Sequence, residues 1–442
     1  MRKLATILGG LFAACLAGAA EPARDRDANW AHWRGPHADG TTTLADPPTT
    51  WDAKTNIKWT ADLPGRGSAT PIVWGDRVFV VAAVPTDRAA KPEDVPPPDP
   101  KFEQRTAPPT NYYQFIVYCF DRQTGKVRWK DTAAEMVPHE GHHQTHSYAA
   151  GSPTTDGTRL YVSFGSFGLY CYDLDGKRLW QRDLGRMHTR LGWGEAVTPV
   201  VHGDALIINW DQETESKLIC LNAATGKTRW ETPRDEKTSW TTPLVVEHAG
   251  KTQIVMNGTS RVRGYDLATG KEIWTAAGTT VNAIPSPVAG DGVVYVMGGY
   301  QGSTAVAVDL GSAGEVKVGA GLHWRYDKGT PYVPSPLLLG GRLYFTQQNQ
   351  NLLTILDAKS GKVLLDRDRL PAPAGFYASP ASAAGRIYIV ARDGTTLVLK
   401  AGDTLDVLAT NRLNDPIDAS PALAGKQLFL RSHKRLYCIE KP

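Results

Sequence analysis

The stretch Phe120–Trp129 reads FDRQTGKVRW, and nearly the same phrase returns three times: YDLDGKRLW from Tyr172, LNAATGKTRW from Leu221 and YDLATGKEIW from Tyr265. A fainter copy, LDAKSGKVLL, starts at Leu356. One catalytic site has no use for five copies of a turn. An architecture assembled from copies does, so the repeat decides the fold.

A second phrase counts the copies. Ser or Thr followed by Pro stands at Thr70, Ser152, Thr198, Thr242, Ser286, Ser335, Ser379 and Ser420. After most of them comes a Gly or Asp-Gly turn and a run rich in Val, Ile, Tyr and Phe, which is strand and turn chemistry. Each unit therefore reads as a Ser/Thr-Pro strand, a turn, a second strand, a loop, a third strand, a Gly-Lys turn and a fourth strand carrying Trp. Successive copies stand 41 to 49 residues apart, except for a first gap of 82. The Pro-rich stretch Pro85 to Asn111 fills that gap and is expected to be a long loop or cap rather than regular strand.

Four-stranded units at this period are propeller blades. The expected fold is all-β: an eight-bladed β-propeller of four-stranded antiparallel blades over 55–442, preceded by an extension over 21–54 that packs on it. Ring closure is legible too. The eighth unit stops at RLYCIEKP, without Gly-Lys turn or Trp, and the missing strand stands at the other end as TNIKWTADLPG around Trp59. Within each turn the Gly is expected to take the left-handed position. Trp129, Trp180, Trp230, Trp274 and Trp324 are expected to pack on the neighbouring blade, with Leu365 and Leu408 replacing Trp in blades six and seven.

The 442 residues carry a net charge of +4, too weak to argue for nucleic acid. The first twenty, MRKLATILGGLFAACLAGAA, read as a secretory signal peptide cleaved near Ala19 or Ala20. A lipoprotein site at Cys15 is the lesser alternative, because Phe12 stands where such sites carry Leu. No other apolar run reaches membrane-spanning length. A periplasmic or secreted monomer follows. Cys119, Cys171, Cys220 and Cys438 share one slot of the repeat, which other copies fill with Gly264, Ala307, Ile355 and Leu399. A slot so filled is a packing slot, and four buried free thiols are expected despite export.

These phrases resemble the pyrroloquinoline quinone (PQQ)-like repeat: a small residue, then Asp, then Thr-Gly, then Trp. Stretches such as EGHHQTHSYAAGSP, DEKTSWTTPLVVEH and NWAHWRGPHADG are similar to a group of secreted bacterial PQQ-binding-like propeller proteins. The repeat is shared by quinoprotein dehydrogenases and by the propeller lipoprotein of the outer-membrane β-barrel assembly machinery. The resemblance implies the fold; unrelated activities share it. The adjacent Cys pair of quinoprotein alcohol dehydrogenases is missing, as is any Cys-x-x-Cys-His haem site.

Strand order places the loops between blades, and those joining strands two and three, on one face. The inter-blade loops carry Arg66, His139, His142, His143, His146, Tyr148, Arg190, Trp193, Glu195, Lys237, Trp240, Asn282, Tyr332, Tyr377 and Asp418. Polar and aromatic groups thus gather at one channel mouth. His139, His142 and His143 are candidate metal ligands, although their spacing fits no standard motif. His146, Tyr148 and Glu195 are candidates for acid–base work. Arg66, Arg190, Trp193, Trp240, Asn282, Tyr332, Tyr377 and Asp418 are candidate cofactor or ligand contacts, for instance to PQQ with calcium. NWDQETES, Asn209–Ser216, reads as a solvated turn or, less readily, a calcium loop.

The expectation is a ligand-binding or scaffolding protein of the cell envelope. Its partner would be a protein, small molecule or carbohydrate at the channel mouth. A PQQ-dependent dehydrogenase of alcohols or sugars is the competing class, and a carbohydrate-active enzyme using His and Tyr the weaker one.

Overall fold

The computed structural model describes residues 26–95, 100–347 and 350–442. The expected signal peptide and Cys15 lie outside them. Eight antiparallel sheets follow one another along the chain, each built from four consecutive strands in ladder order, with short fifth strands on three of them. Blade 1 comprises Ile72–Trp74, Arg77–Ala89, Asn111–Asp121 and Val127–Met136. In blade 8, Ala422–Ala424, Gln427–Arg431 and Arg435–Glu440 are completed by Ile57–Asp62, whose Trp59 pairs with Cys438. The innermost strands of blades 8 and 1 touch, so the ring is closed by joining the two ends of the propeller.

The repeat owes its residue choices to contacts between blades. In six blades the Cys slot or its equivalent lies opposite the Trp across the ladder: Cys119–Trp129, Cys171–Trp180, Cys220–Trp230, Gly264–Trp274, Ala307–Trp324 and Cys438–Trp59. Small residues there leave room for the indole. All four described cysteines are free and buried. The turn glycines take positive φ, for example 70° at Gly125 and 94° at Gly176.

Three expectations are corrected. Ala409, not Leu408, occupies the Trp place in blade 7: it pairs with Val398, which takes the Cys slot in place of Leu399, as Leu365 pairs with Ile355 in blade 6, whereas Leu408 is 45% exposed. Trp274 turns into its own blade, over Gly264, and its Nε1 donates to Gln253 Oε1 at 3.0 Å. The cause is blade 5, where the insert Gly314–Val318 replaces the tight turn and lays Gly314–Glu315 along Trp274–Thr275. Gln253 relays the contact by donating to Leu310 O at 2.7 Å. Finally, strand does run into the Pro-rich insertion, through Pro85 to Ala89, with a register shift between those two residues.

The Ser/Thr-Pro phrase builds the channel. The innermost strand of each blade has no further strand beside it, so its N–H groups need other acceptors. Thr70 N–H donates to Ser152 Oγ, Ser152 to Thr198, Thr242 to Ser286, Ser286 to Ser335, Ser335 to Ser379 and Ser379 to Ser420, all at 2.8–3.0 Å. Proline removes the next donor altogether. The phrase is thus a belt of hydroxyls around the axis.

The extension closes one end of that channel. Trp30 exchanges backbone hydrogen bonds with Val73 of blade 1, and Ala31 O accepts from Thr155 of blade 2. Arg34, wholly buried, reaches across the axis to Pro336 O and Pro380 O of blades 6 and 7. Thr41–Thr42 then pairs in parallel with Ser382–Ala383. Trp33, held between these anchors, lines the channel floor.

Candidate functional site

With the floor plugged, the channel is a cup of about 460 Å³ open on the loop face. That volume is within the range of small-molecule sites. Above the hydroxyl belt, the residues two places before each Ser/Thr form a second tier: Ser68, Ala150, Ala196, Trp240, Ile284, Val333, Tyr377 and Asp418 all line it. The repeat frame sets where these side chains point; their identities differ blade by blade, as a specific site requires.

One wall is charged. Asp418 Oδ2 lies 3.0 Å from Arg66 Nη2 and 2.8 Å from His433 Nε2, and its Oδ1 accepts from Arg392 Nε at 2.7 Å. Burial alone would raise this carboxyl, but hydrogen bonds from His433, Arg392 and Arg66 hold it at about 2. Arg392 also stacks 4.0 Å over the Tyr377 ring, whose hydroxyl lies 3.4 Å from Thr145 Oγ1. Two to four blade junctions away stands an aromatic wall. Trp193 meets His143 edge-on, Trp240 Nε1 donates to Gly194 O at 2.7 Å, and Tyr300 and Tyr332 stack at 4.7 Å.

The sequence-derived candidates divide accordingly. His143, His146, Trp193, Trp240, Tyr332, Tyr377 and Asp418 line the cup, with Arg66 bound to Asp418 at its edge. Asn282 stands behind Tyr332, 3.5 Å from its hydroxyl, in the left-handed conformation at φ 58°. Arg190 sits beside the same wall, its Nε buried without an acceptor among the described residues. Lys237 is bound outside the cup to Glu213 O.

The acid–base candidates do not converge. Tyr148 and Glu195 line a separate small pocket behind the cup wall, with His139, Glu140 and Phe167. Tyr148 OH donates to Glu140 O at 2.8 Å, and His146 Nε2 meets the backbone oxygen of Glu195, not its carboxyl. Burial and the neighbouring His142 hold His146 down at about 4. Burial pushes the Glu195 carboxyl up to about 8, opposed only by Ser166, through its hydroxyl and its N–H. The three candidate metal ligands also part company. His139 Nε2 faces Met187 O, His142 Nδ1 faces His143 O, and His143 Nδ1 faces Thr145 Oγ1. Among the described residues no three His, Cys, Asp or Glu side chains come together as a metal site.

NWDQETES is neither a solvated turn nor a calcium loop. Asp211 is wholly buried and pairs at 2.7 Å with Arg234, itself buried and donating at 2.6 Å to Tyr265 OH. Ser239 Oγ also donates to Asp211, so every oxygen of the carboxylate is engaged. The acidic loop anchors blade 3 to blade 4.

Sequence reasoning missed Tyr300, Arg392 and His433, because attention went to the loops between blades. All three stand on loops joining strands two and three, which share the same face, and that topology was the available signal. From the sequence, NWAHWRGPHADG with Trp30, Trp33, Arg34 and Gly35 is expected to pack on the disc surface or to plug one channel mouth; it plugs the channel, and what its sequence does not say is which blades it crosses. The Pro-rich insertion folds over the same region: Phe102 stacks on His188 at 4.8 Å, and Arg105 N–H donates to Leu191 O, buttressing the loop that carries Arg190 and Trp193.

Residues 114–364 and, overlapping them, 261–441 match the family model described as outer membrane protein assembly factor BamB. Among solved structures, the fold is similar to BamB from Moraxella catarrhalis, with 13% identity, 81% of this chain and 98% of that one covered, and a TM-score of 0.54. It is also similar to a quinohemoprotein alcohol dehydrogenase from Pseudomonas putida HK5, with 11% identity, 96% and 83% covered, and a TM-score of 0.61. The computationally designed Ika8 protein aligns at 12% identity over 76% of this chain and 97% of its own, with a TM-score of 0.51. Identities this low speak of fold alone. No curated protein matches the chain.

Proposed function

We propose, from the premise that this chain belongs to the PQQ-like propeller family described as outer membrane protein assembly factor BamB, that it is a binding protein of the cell envelope whose ligand enters the blind cup. One observation carries the reading: Trp33 and Arg34 close the axial channel at one end, while the other end opens among Trp193, Trp240, Tyr332, Tyr377 and Asp418. A channel left open at both ends would be a by-product of ring geometry. A floor built from a separate segment makes it a receptacle. Envelope location is supported by the family and by the leader-like N-terminus. No helix among the described residues is long and apolar enough to cross a membrane.

The quinoprotein reading finds less support in the donor set. Asp418 is the one carboxylate among the residues lining the cup, and two guanidinium groups and the His433 imidazole already engage it. A quinone cofactor with its divalent cation needs further carboxylate or carbonyl oxygens that converge, and the cup lining does not provide them.

The test is a thermal-shift screen of envelope metabolites on the full chain and on Ala196→Trp, which fills the cup. Hits that vanish in the variant support the reading; hits that persist, or none at all, replace it with a surface scaffold. Added PQQ and calcium should give no dye reduction with alcohols or sugars, and turnover would restore the dehydrogenase.

A further inference from the structure

The lining also points to a ligand class: we propose that the cup takes a sugar acid, a pyranose-sized ring carrying one carboxylate, free or at the end of a chain. This rests on the cup being the ligand site and goes one step further, to what it holds.

The floor comes first. Ser152, Thr198, Ser286, Ser335, Ser379 and Ser420 each spend an oxygen lone pair on the N–H of the preceding blade. Their hydroxyl protons meet no acceptor among the described residues, and all six line the cavity. A hydroxyl in that state is a donor waiting for an oxygen. Six on one circle favour a ligand bristling with acceptors, and disfavour an apolar ring, which would leave them unpaired.

The charged wall comes second. Arg66 and Arg392 bring two guanidinium charges to the single carboxylate of Asp418, with His433 beside them. Arg392 spends only Nε on Asp418, and its guanidinium lies over the ring of Tyr377, which lines the cup, with no acceptor for its other nitrogens among the described residues. The surplus is positive. The same field is felt by the histidines nearby: burial lowers His143 and His142, and Arg392 and Arg66 push them further down. One added carboxylate balances that wall.

Size and shape complete the argument. The aromatic wall of Trp193, Trp240 and the Tyr300–Tyr332 pair offers flat faces for the C–H side of a ring. About 460 Å³ suits one ring with its substituents. Because Trp33 closes the floor, a polymer can present an end but cannot thread through.

Tryptophan fluorescence of the full chain, titrated with D-glucuronate, D-glucose, benzoate and inorganic phosphate, tests this. Glucuronate is expected to saturate at least tenfold more tightly than the other three. Arg392→Met, and independently Arg66→Met should the first fail to fold, is expected to abolish that tenfold preference. Glucose binding as tightly as glucuronate would remove the carboxylate from the proposal. Benzoate or phosphate doing so would reduce the wall to a general anion site and overturn it. If none of the four binds while other metabolites give cup-dependent shifts, the sugar acid is wrong and the cup stands. If the metabolite screen is also empty, both readings fall.

Discussion

Trp129 of blade 1 covers Gly176 of blade 2 so closely that a β-carbon on the glycine would stand 2.7 Å from the indole. The indole Nε1 donates at 3.0 Å to Leu174 O in the same turn. The seat recurs as Trp59 on Gly125, Trp180 on Gly226, Trp230 on Gly270 and Trp324 on Gly361. Each donates to the carbonyl three residues before its glycine: Arg122, Ala223, Leu267 and Ala358. The turn and the Trp recur together because one blade's Trp needs the next blade's glycine.

The seat and the backbone strain can be told apart. Gly176→Ala meets both a positive φ of 94° and the indole, whereas Gly185→Ala, at φ 93°, meets nothing within 4 Å. Gly185→Ala is expected to lose about 1 kcal/mol and Gly176→Ala at least about twice that. Trp129→Ala should lose about 3 kcal/mol. Urea unfolding midpoints measure all three; equal losses at the two glycines would dismiss the seat.

Asp418 ties acid stability to the cup. Its carboxyl is held at about 2, below the ordinary value of 3.8, so its contribution is present above about pH 4 and disappears as pH falls through 2. Asp418→Asn is expected to lose about 2 kcal/mol at pH 7, with the gap to wild type closing by pH 2. Denaturant midpoints at both pH values check this. A gap independent of pH would mean that the loss is packing, not charge.

Glu195 works in the opposite sense. Its carboxyl is raised from 4.5 to about 8, so the folded state keeps a proton that the unfolded chain has lost. The native state is therefore favoured below pH 4.5 and progressively disfavoured as pH rises to 8, with no further change above. Glu195→Gln should melt with wild type at pH 4.5 and about 1–2 °C above it at pH 9. A variant that melts lower at pH 9 would show that the ionised carboxylate is welcome in that pocket.

Arg34 is expected to hold the plug. It donates to Pro336 O and Pro380 O while wholly buried, and burial brings it down to about 10. Arg34→Met keeps the length and removes the donors, leaving two buried carbonyls unpaired, a loss of about 2–3 kcal/mol. Limited trypsin digestion should then cut at Arg26 before any site in the blades. Cleavage at unchanged rate would assign the anchoring to Trp30 alone.

How much of this could be read from the chain depends on what the repeat fixes. Trp59, Cys438 and the eight Ser/Thr-Pro pairs announced blade number and closure, because periodic packing needs the same residue at the same place. The charged cluster was half legible. Asp418 and Arg66 stood on loops the repeat singled out, but Arg392 and His433 joined them from loops one strand away, and only folding brings 66, 392, 418 and 433 together. The histidine run drew attention by its density, yet each imidazole found a partner in its own neighbourhood. Asp211 looked like a surface acid until Arg234 and Tyr265 closed over it.

The sequence by itself determined a ring of eight blades, its closing strand, its buried thiols and the face on which the polar and aromatic loop residues gather. Local patterns and short-range ladders decide those, and they repeat. The tertiary structure alone decided that the channel is blind, that Asp418 is neutralised, and that His146, Tyr148 and Glu195 do not meet. Such facts depend on side-chain direction and on a single non-repeating segment crossing the axis. No periodicity encodes either of them.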